Sequence, residues 1–181
     1  MHALKLDRMP LFRFRISWED DDNIYRDIIL KSGQTFAVFQ EAILKSFEFT
    51  KSAPASFFES NERWLAGREI SSEVTSNKKG APALSSVKTP VSALVNQPEK
   101  RFIFRYYSGK EWHFCITLIA LTSDGDESQA YPLLVKSEGL APHKTSGAEV
   151  PLSEGLADTN DQFDLRQEDM DEQGFSEDDG I

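Results

Sequence analysis

The sequence is short of several features that normally announce a function. It has one cysteine, Cys115, in 181 residues, which excludes an internal disulfide framework and suits a reducing compartment. No stretch approaches the ~20 consecutive apolar residues of a membrane helix. The opening "MHALKLDRMPLFRF" lacks an apolar core and a small-residue cleavage site, so a secretory signal is not expected. There is no phosphate-binding glycine loop, no dinucleotide glycine pattern and no G-x-S-x-G elbow. C-x-x-C, H-E-x-x-H and H-x-H are absent as well. These absences predict a soluble cytoplasmic protein with no membrane partner and no cofactor.

Charge is abundant but unevenly placed. The chain carries a formal charge of −10. From Glu149 to Ile181 there are 12 acidic residues and one basic residue, Arg166, which leaves 18 acidic and 19 basic residues in 1–148. The low isoelectric point therefore belongs to the end of the chain, and the rest is near neutral. Residues 149–181 hold too few hydrophobes to offset an ordering entropy of about 1–2 kcal/mol per residue, which predicts a disordered acidic tail. Its scattered Phe163, Leu165, Met170 and Phe175 suit a segment that docks on a partner. A flexible chain of this length spans roughly 30 Å, enough to reach an arginine-bearing face of its own domain.

The remainder reads as strands around one helix. In "LFRFRISW" (11–18), Phe12, Phe14, Ile16 and Trp18 alternate with Arg13, Arg15 and Ser17, the pattern of a half-buried strand. "EDDDN" is a polar turn, and "IYRDIILKSG" gives a second strand of the same hairpin. In "TFAVFQEAILKSFEF" the period changes: Phe36, Phe39, Ile43 and Phe47 fall on one helix face, with Thr35 as the cap. "ASFFES" and "REISSEV" read as short strands joined by "NERWLAG". "TSNKKGAPALSSVKT" reads as a mobile loop and "PVSAL" as one helical turn starting at Pro90. Strands over 101–107 and 111–121 are joined by "SGK". "YPLLVKSEGLAPHKTSG" orders only if it packs across the core. This order predicts an α+β domain, a mostly antiparallel sheet with one main helix laid on it; a β-grasp-like arrangement is the simplest such packing.

Three constellations carry possible chemistry. His113 and Cys115 share the polar face of the second long strand, but residues two apart on a strand are ~6.6–7 Å apart. A nucleophile and its base need about 2.6–3.2 Å. Zinc needs three or four ligands, and His113, Cys115, Glu111 and His143 have no recognised ligand spacing. "EDDDN" fails as a calcium loop, because counting from Asp20 puts Tyr25 where glycine is required and Lys31 where glutamate is required. No catalytic or metal residues are assigned. The third constellation is basic. Arg13 and Arg15 share one polar strand face, and Arg101 and Arg105 share another with Tyr107 beside them. If those strands are neighbours, a basic stripe with an aromatic results that could contact phosphates or other anions. Arginine stems also commonly cover apolar surface on exposed sheets.

The order of "LFRFRI", "TFAVFQEAILKSFEF", "SFFESNERWLAGREI", "RFIFRYYSGKEWHFCITL" and "YPLLVKSEGLAP" resembles the plasmid pRi ORF-three-like proteins, also labelled insertion-element passenger TnpR-like, over about residues 9–147. The ending "EDMDEQGFSEDD" is similar to tails in a branch of that family common in Bacteroidetes. The resemblance implies a compact α+β domain and no known activity. Where many relatives carry Asp-Phe-Gly-Asp followed by Trp and His, this chain keeps Gly109 and Trp112. It places Tyr107 and Lys110 at the two Asp positions and Phe114 at the His position. His113 stands where relatives tend to have Glu, and the late turn "APHK" keeps only Pro142. Relatives tend to begin near Met9, which makes 1–8 an N-terminal extension, 9–148 the domain and 149–181 the tail. The expected function is a non-enzymatic intracellular protein-interaction module with an unidentified protein partner. The alternative is a mobile-element-associated accessory nucleic-acid-binding protein that uses Arg13, Arg15, Arg101 and Arg105.

Overall fold

The structure is a computed structural model that describes residues 9–73, 81–123 and 128–145. The chain divides into two units, Met1–Ala148 and Glu149–Ile181, and the described residues all belong to the first. The extension 1–8 and the acidic segment 149–181 lie outside them, as do residues 75–80 of the loop expected over 75–89.

One eight-stranded sheet dominates the first unit. Its strands are β1 (Leu11–Trp18), β2 (Asp21–Lys31), β3 (Ala55–Ser60), β4 (Glu69–Ser71), β5 (Leu84–Ser85), β6 (Arg101–Ser108), β7 (Lys110–Thr122) and β8 (Leu133–Glu138), in spatial order β5-β4-β3-β6-β7-β1-β2-β8. All pairings are antiparallel except β4 with β5. The main helix, α1 (Phe36–Ser46), crosses one face. The expected α+β class, a mostly antiparallel sheet under one main helix, is the observed one.

Alternation decides which face the helix meets. Phe12, Phe14 and Ile16 of β1, Phe102 and Phe104 of β6, and Trp112, Phe114 and Ile116 of β7 point inward and are 5% exposed or less. From α1 come Phe36, Phe39 and Ile43, with Phe47 at the C-cap, all fully buried. Phe36 meets Phe57 and Phe102 at ring-centroid distances of 5.1 and 5.3 Å, Phe39 meets Phe14 at 5.0 Å, and Phe47 meets Phe114 at 4.7 Å. Each buried phenyl contributes about 1.5–3 kcal/mol by leaving water, and a well-placed ring pair adds about 0.5–1.5 kcal/mol. The Thr35 hydroxyl accepts from the Val38 N–H at 3.4 Å, the expected cap.

Several element ends differ from the sequence expectation. The helix stops at Ser46, where Glu48 takes a positive φ of 58° and turns the chain so that Phe49 returns to the core. Asp21, expected in the turn, already starts β2. The single helical turn is a 3-10 turn over Val91–Ala93, with Pro90 as its cap residue. β5 arises inside the stretch expected to be loop, and β8 inside the Pro- and Gly-punctuated segment. A short helix, α2 (Pro142–Thr145), follows β8. Gly139, between β8 and α2, has φ +70°, and a Cβ there would lie 2.8 Å from Cγ1 and 3.1 Å from Cα of Ile24. Only glycine fits that approach.

Candidate interaction surface

The face opposite α1 is built from the other half of each strand. Residues paired across antiparallel neighbours share a face, so the registers can be read as rows across the sheet. One row runs Ser60–Arg101–Thr117–Arg15–Asp27–Lys136, and the next runs Glu69–Phe58–Ile103–Cys115–Ser17–Tyr25–Glu138. Beyond it lies Ser71–Ser56–Arg105–His113. All four arginines singled out by the sequence stand on this outer face. Their strands are not the neighbours that the continuous stripe required: Arg101 and Arg15 are in one row, but β7 lies between β6 and β1 and sets Thr117 between the two arginines. The described helices pack on the other side: α1 through its phenylalanines, and α2 through His143, which lies 4.8 Å from Phe49.

Arg13 and Arg15 are already engaged. The Arg13 Nη2 donates to Asp27 Oδ2 at 2.7 Å. Arg15 donates from Nε to Oδ1 at 2.8 Å and from Nη2 to Oδ2 at 3.0 Å. Asp27 is fully buried beneath them, while the two arginine side chains are 36% and 39% exposed. Burial alone would push the Asp27 carboxyl up. Hydrogen bonds from Arg15 and then Arg13 outweigh it and hold the carboxyl below its ordinary value. The bond to Asp27 raises Arg15 in turn, against a smaller opposing effect of burial. The Arg15 guanidinium also stacks 4.1 Å from the Tyr25 ring, and Lys136 approaches the same ring at 5.2 Å.

Arg101 and Arg105 are arranged differently. The Arg101 guanidinium lies 5.2 Å from the Trp64 ring and donates from Nη1 to the Glu62 carbonyl at 3.0 Å. That of Arg105 lies 4.7 Å from the Phe58 ring, and its Nε is shut from solvent without a hydrogen-bond partner. Among the described residues, neither guanidinium has a carboxylate within salt-bridge distance. Each borders a shallow concavity. That at Arg101 is about 490 Å³ and includes Ser60, Glu62, Arg63 and Glu99. That at Arg105 is about 320 Å³ and includes Ser56, Phe58, Tyr107 and Glu111.

His113 and Cys115 do not act together. His113 Nδ1 lies 2.7 Å from Glu19 Oε2, and its Nε2 lies 3.1 Å from Glu111 Oε1. The two carboxylates flank the ring on opposite sides instead of converging on one point. Burial, and after it the Glu19 charge, push the Cys115 thiol up to about 11, which suppresses the thiolate that nucleophilic or metal chemistry requires. His143 sits on the inner side against Phe49, away from the outward-facing His113 and Cys115.

Sequence reasoning put the four arginines on polar strand faces, where the registers also put them, and missed what they hold. Asp27 sits opposite Arg15 in register, a pairing that becomes visible once the hairpin is aligned. Phe58, Tyr25 and Trp64 carry no charge signal, so their stacking roles emerge only from the sheet order.

Comparison with known proteins yields two findings. The family model described as plasmid pRiA4b ORF-3-like protein matches residues 11–178. Among solved structures, a protein of unknown function, MM3350 from Methanosarcina mazei Go1, is similar in fold, with a TM-score of 0.60 and 18% sequence identity over 74% of this chain and 71% of that one. No curated protein matches the chain.

Proposed function

We propose that this chain, which belongs to the plasmid pRiA4b ORF-3-like family, works as a non-enzymatic intracellular protein-binding module whose partner docks on the outer face of the sheet. The observation that carries the reading is a wide sheet face with no described helix over it, studded with arginines held flat against aromatic rings. Arginine, tyrosine and tryptophan are the residues that concentrate binding energy at protein interfaces. Stacking holds the guanidiniums before a partner arrives, so less side-chain entropy is lost on docking.

Charge and ring geometry favour a protein over a nucleic acid. Arg13, Arg15, Lys31, Arg101, Arg105 and Lys136 share the face with Asp27, Glu69, Glu111 and Glu138. The basic excess is small, and phosphate binding draws its affinity from a larger net positive charge. Single-strand binders also stack bases on several free aromatic faces, whereas Arg15, Arg105 and Arg101 each occupy a face of Tyr25, Phe58 and Trp64, which leaves Tyr107 as the exposed ring of this face. The alternative, an accessory nucleic-acid-binding role linked to mobile elements of the TnpR-like passenger kind, rests on the same four arginines without that charge excess.

Affinity capture with crosslinking separates the two. The wild-type protein and a Val87→Ser control, altered at an exposed position outside the named strands, are expected to retain the same partner. Phe58→Ser and Arg105→Glu are expected to lose it. Retention by both face variants overturns the reading. Binding of single-stranded DNA or RNA that falls steeply with salt and disappears in Arg101→Ala and Arg105→Ala supports the alternative.

A further inference from the structure

The outer face contains its own demonstration of what its arginines take. On the β1–β2 side, Arg13 and Arg15 are two residues apart and close on one buried carboxylate, Asp27, through three hydrogen bonds of 2.7–3.0 Å. On the β6 side, Arg101 and Arg105 face the same way, each is laid on a ring, and neither has a carboxylate partner among the described residues. Among the described residues the Arg105 Nε is buried without an acceptor, as is the Arg13 Nε. A guanidinium offers five donors in a fixed fork, and among the described residues one bond of the Arg101 fork, to the Glu62 carbonyl, is used.

Spacing defines the missing acceptors. Four residues along a strand cover about 13 Å, so one carboxylate cannot serve both arginines as Asp27 serves its pair. Two are needed at that separation, which is the distance between positions i and i+4 of an extended peptide. Between the two arginines the row is apolar: Phe58 and Ile103, the latter 9% exposed, with Cys115 beside them. A side chain at i+2 of the same peptide points to that row, because alternate residues of an extended chain share a face.

We infer that the β6 side of the outer face is a docking site for an extended acidic segment with the pattern acidic–x–apolar–x–acidic. The two acidic side chains fork onto Arg101 and Arg105, and the apolar one covers Phe58 and Ile103. The inference rests on the reading of this face as a protein-binding surface and names the chemistry of what binds. Glu62, Glu99 and Glu111 border the two concavities. They limit the long-range pull on an acidic segment, so recognition depends on the two forks and not on bulk charge.

The pattern occurs twice in this chain's own sequence, at Glu154, Leu156 and Asp158 and at Glu168, Met170 and Glu172, and the second copy supplies the probe. A labelled peptide of residues 164–176 is titrated by fluorescence anisotropy into the full chain carrying Glu154→Gln, Leu156→Ser, Asp158→Asn, Glu168→Gln, Met170→Ser and Glu172→Gln, so that the peptide is the one copy of the pattern present. Saturable binding below about 1 mM is expected, weakened about tenfold by Arg101→Ala and about tenfold by Arg105→Ala, the scale of one charged hydrogen bond. Arg13→Ala, whose guanidinium serves Asp27, is expected to change it less than twofold. A peptide with Gln at 168 and 172 is expected to lose binding as the double arginine variant does. Thermal melting of each variant establishes that it is folded. No saturation by 1 mM, unchanged binding in both arginine variants, or an equal loss in Arg13→Ala overturns the inference. Failure of the peptide while Phe58→Ser and Arg105→Glu still lose the captured partner overturns the inference alone and leaves the broader reading standing.

Discussion

Arg26 and Asp27 are neighbours in β2, yet they point to opposite faces of the sheet and are satisfied in opposite ways. Arg26 is 2% exposed on the helix side. It donates to four carbonyl oxygens, those of Ser46, Tyr25, Glu138 and Gly139, at 2.6–3.1 Å, and lies 4.6 Å from the Phe47 ring. Burial pulls its pKa down, because no hydrogen-bonded carboxylate compensates. Asp27, on the outer face, is equally hidden but meets two guanidiniums, and its carboxyl is held down. Arg26 thus spends its buried charge on backbone, tying the end of α1 to the end of β8. Asp27 pairs charge with charge and leaves its arginines partly in solvent. The inner face is committed to holding the fold, whereas the outer one has groups left to offer.

The largest expected effect tests that division directly. Phe104 is fully buried and packs against Phe57 at 4.7 Å. Phe104→Ala is expected to lose roughly 3–5 kcal/mol in urea denaturation. Tyr107, three residues along the same strand and 56% exposed on the outer face, is expected to change stability by less than about 0.5 kcal/mol as Tyr107→Ala. Similar losses at both positions would show that the outer face is packed against something in the native protein. Next in size is Arg26→Met, which removes the donor from four carbonyls and the tie between α1 and β8. A loss of roughly 2–4 kcal/mol is expected. Arg26→Lys is expected to recover less than half of it, since one ammonium cannot span the same oxygens.

This asymmetry also explains what could be read in advance. The inner face announces itself through alternation, so β1, β3, β6, β7 and the helix with its Thr35 cap were legible from local pattern. The edges were not. β5 is two residues that pair with Ile70 and Ser71, and nothing in "ALSS" distinguishes it from loop until β4 is in place. β8 has no buried residue, so it carries no inward stripe. It is a strand because β2 offers it a ladder. The candidate site was half legible: the arginines are visible as charges on polar faces, while the carboxylate and rings that set them apart come from strands distant in sequence. The docking chemistry follows from that difference and not from the arginines alone.

The Asp27 pair sharpens the comparison through pH. A carboxyl whose folded pKa lies below its ordinary value of 3.8 binds fewer protons folded than unfolded. Its contribution is complete above the unfolded value and is lost as pH falls through the folded one. Asp27→Asn is expected to cost about 1–3 kcal/mol at pH 6. The gap from wild type is expected to close as the pH falls below 3.8 and on through the lowered folded value, because the wild-type side chain then becomes neutral too. Urea titrations of both proteins across that range measure it. A gap that stays constant would mean that the cost comes from shape and not from charge pairing.

The smallest expected effect lies in the row between the two arginine pairs. Cys115 is partly buried, and its thiol is pushed up to about 11 by that burial, with a further contribution from Glu19. At pH 8 its thiolate is scarce, and reaction with a disulfide reagent is expected to be about two orders of magnitude slower than for an unperturbed cysteine. The rate is expected to keep rising to about pH 11, where a free thiol has already levelled off. Glu19→Gln removes the second cause, so a modest acceleration is expected. Cys115→Ala is expected to shift stability by less than about 1 kcal/mol, since the thiol is only half enclosed. If Cys115 instead reacts as fast as a free thiol, the outer row around Phe58 and Ile103 is looser than described. The apolar contact proposed for the docking segment then loses its floor, while the arginine forks on either side keep theirs.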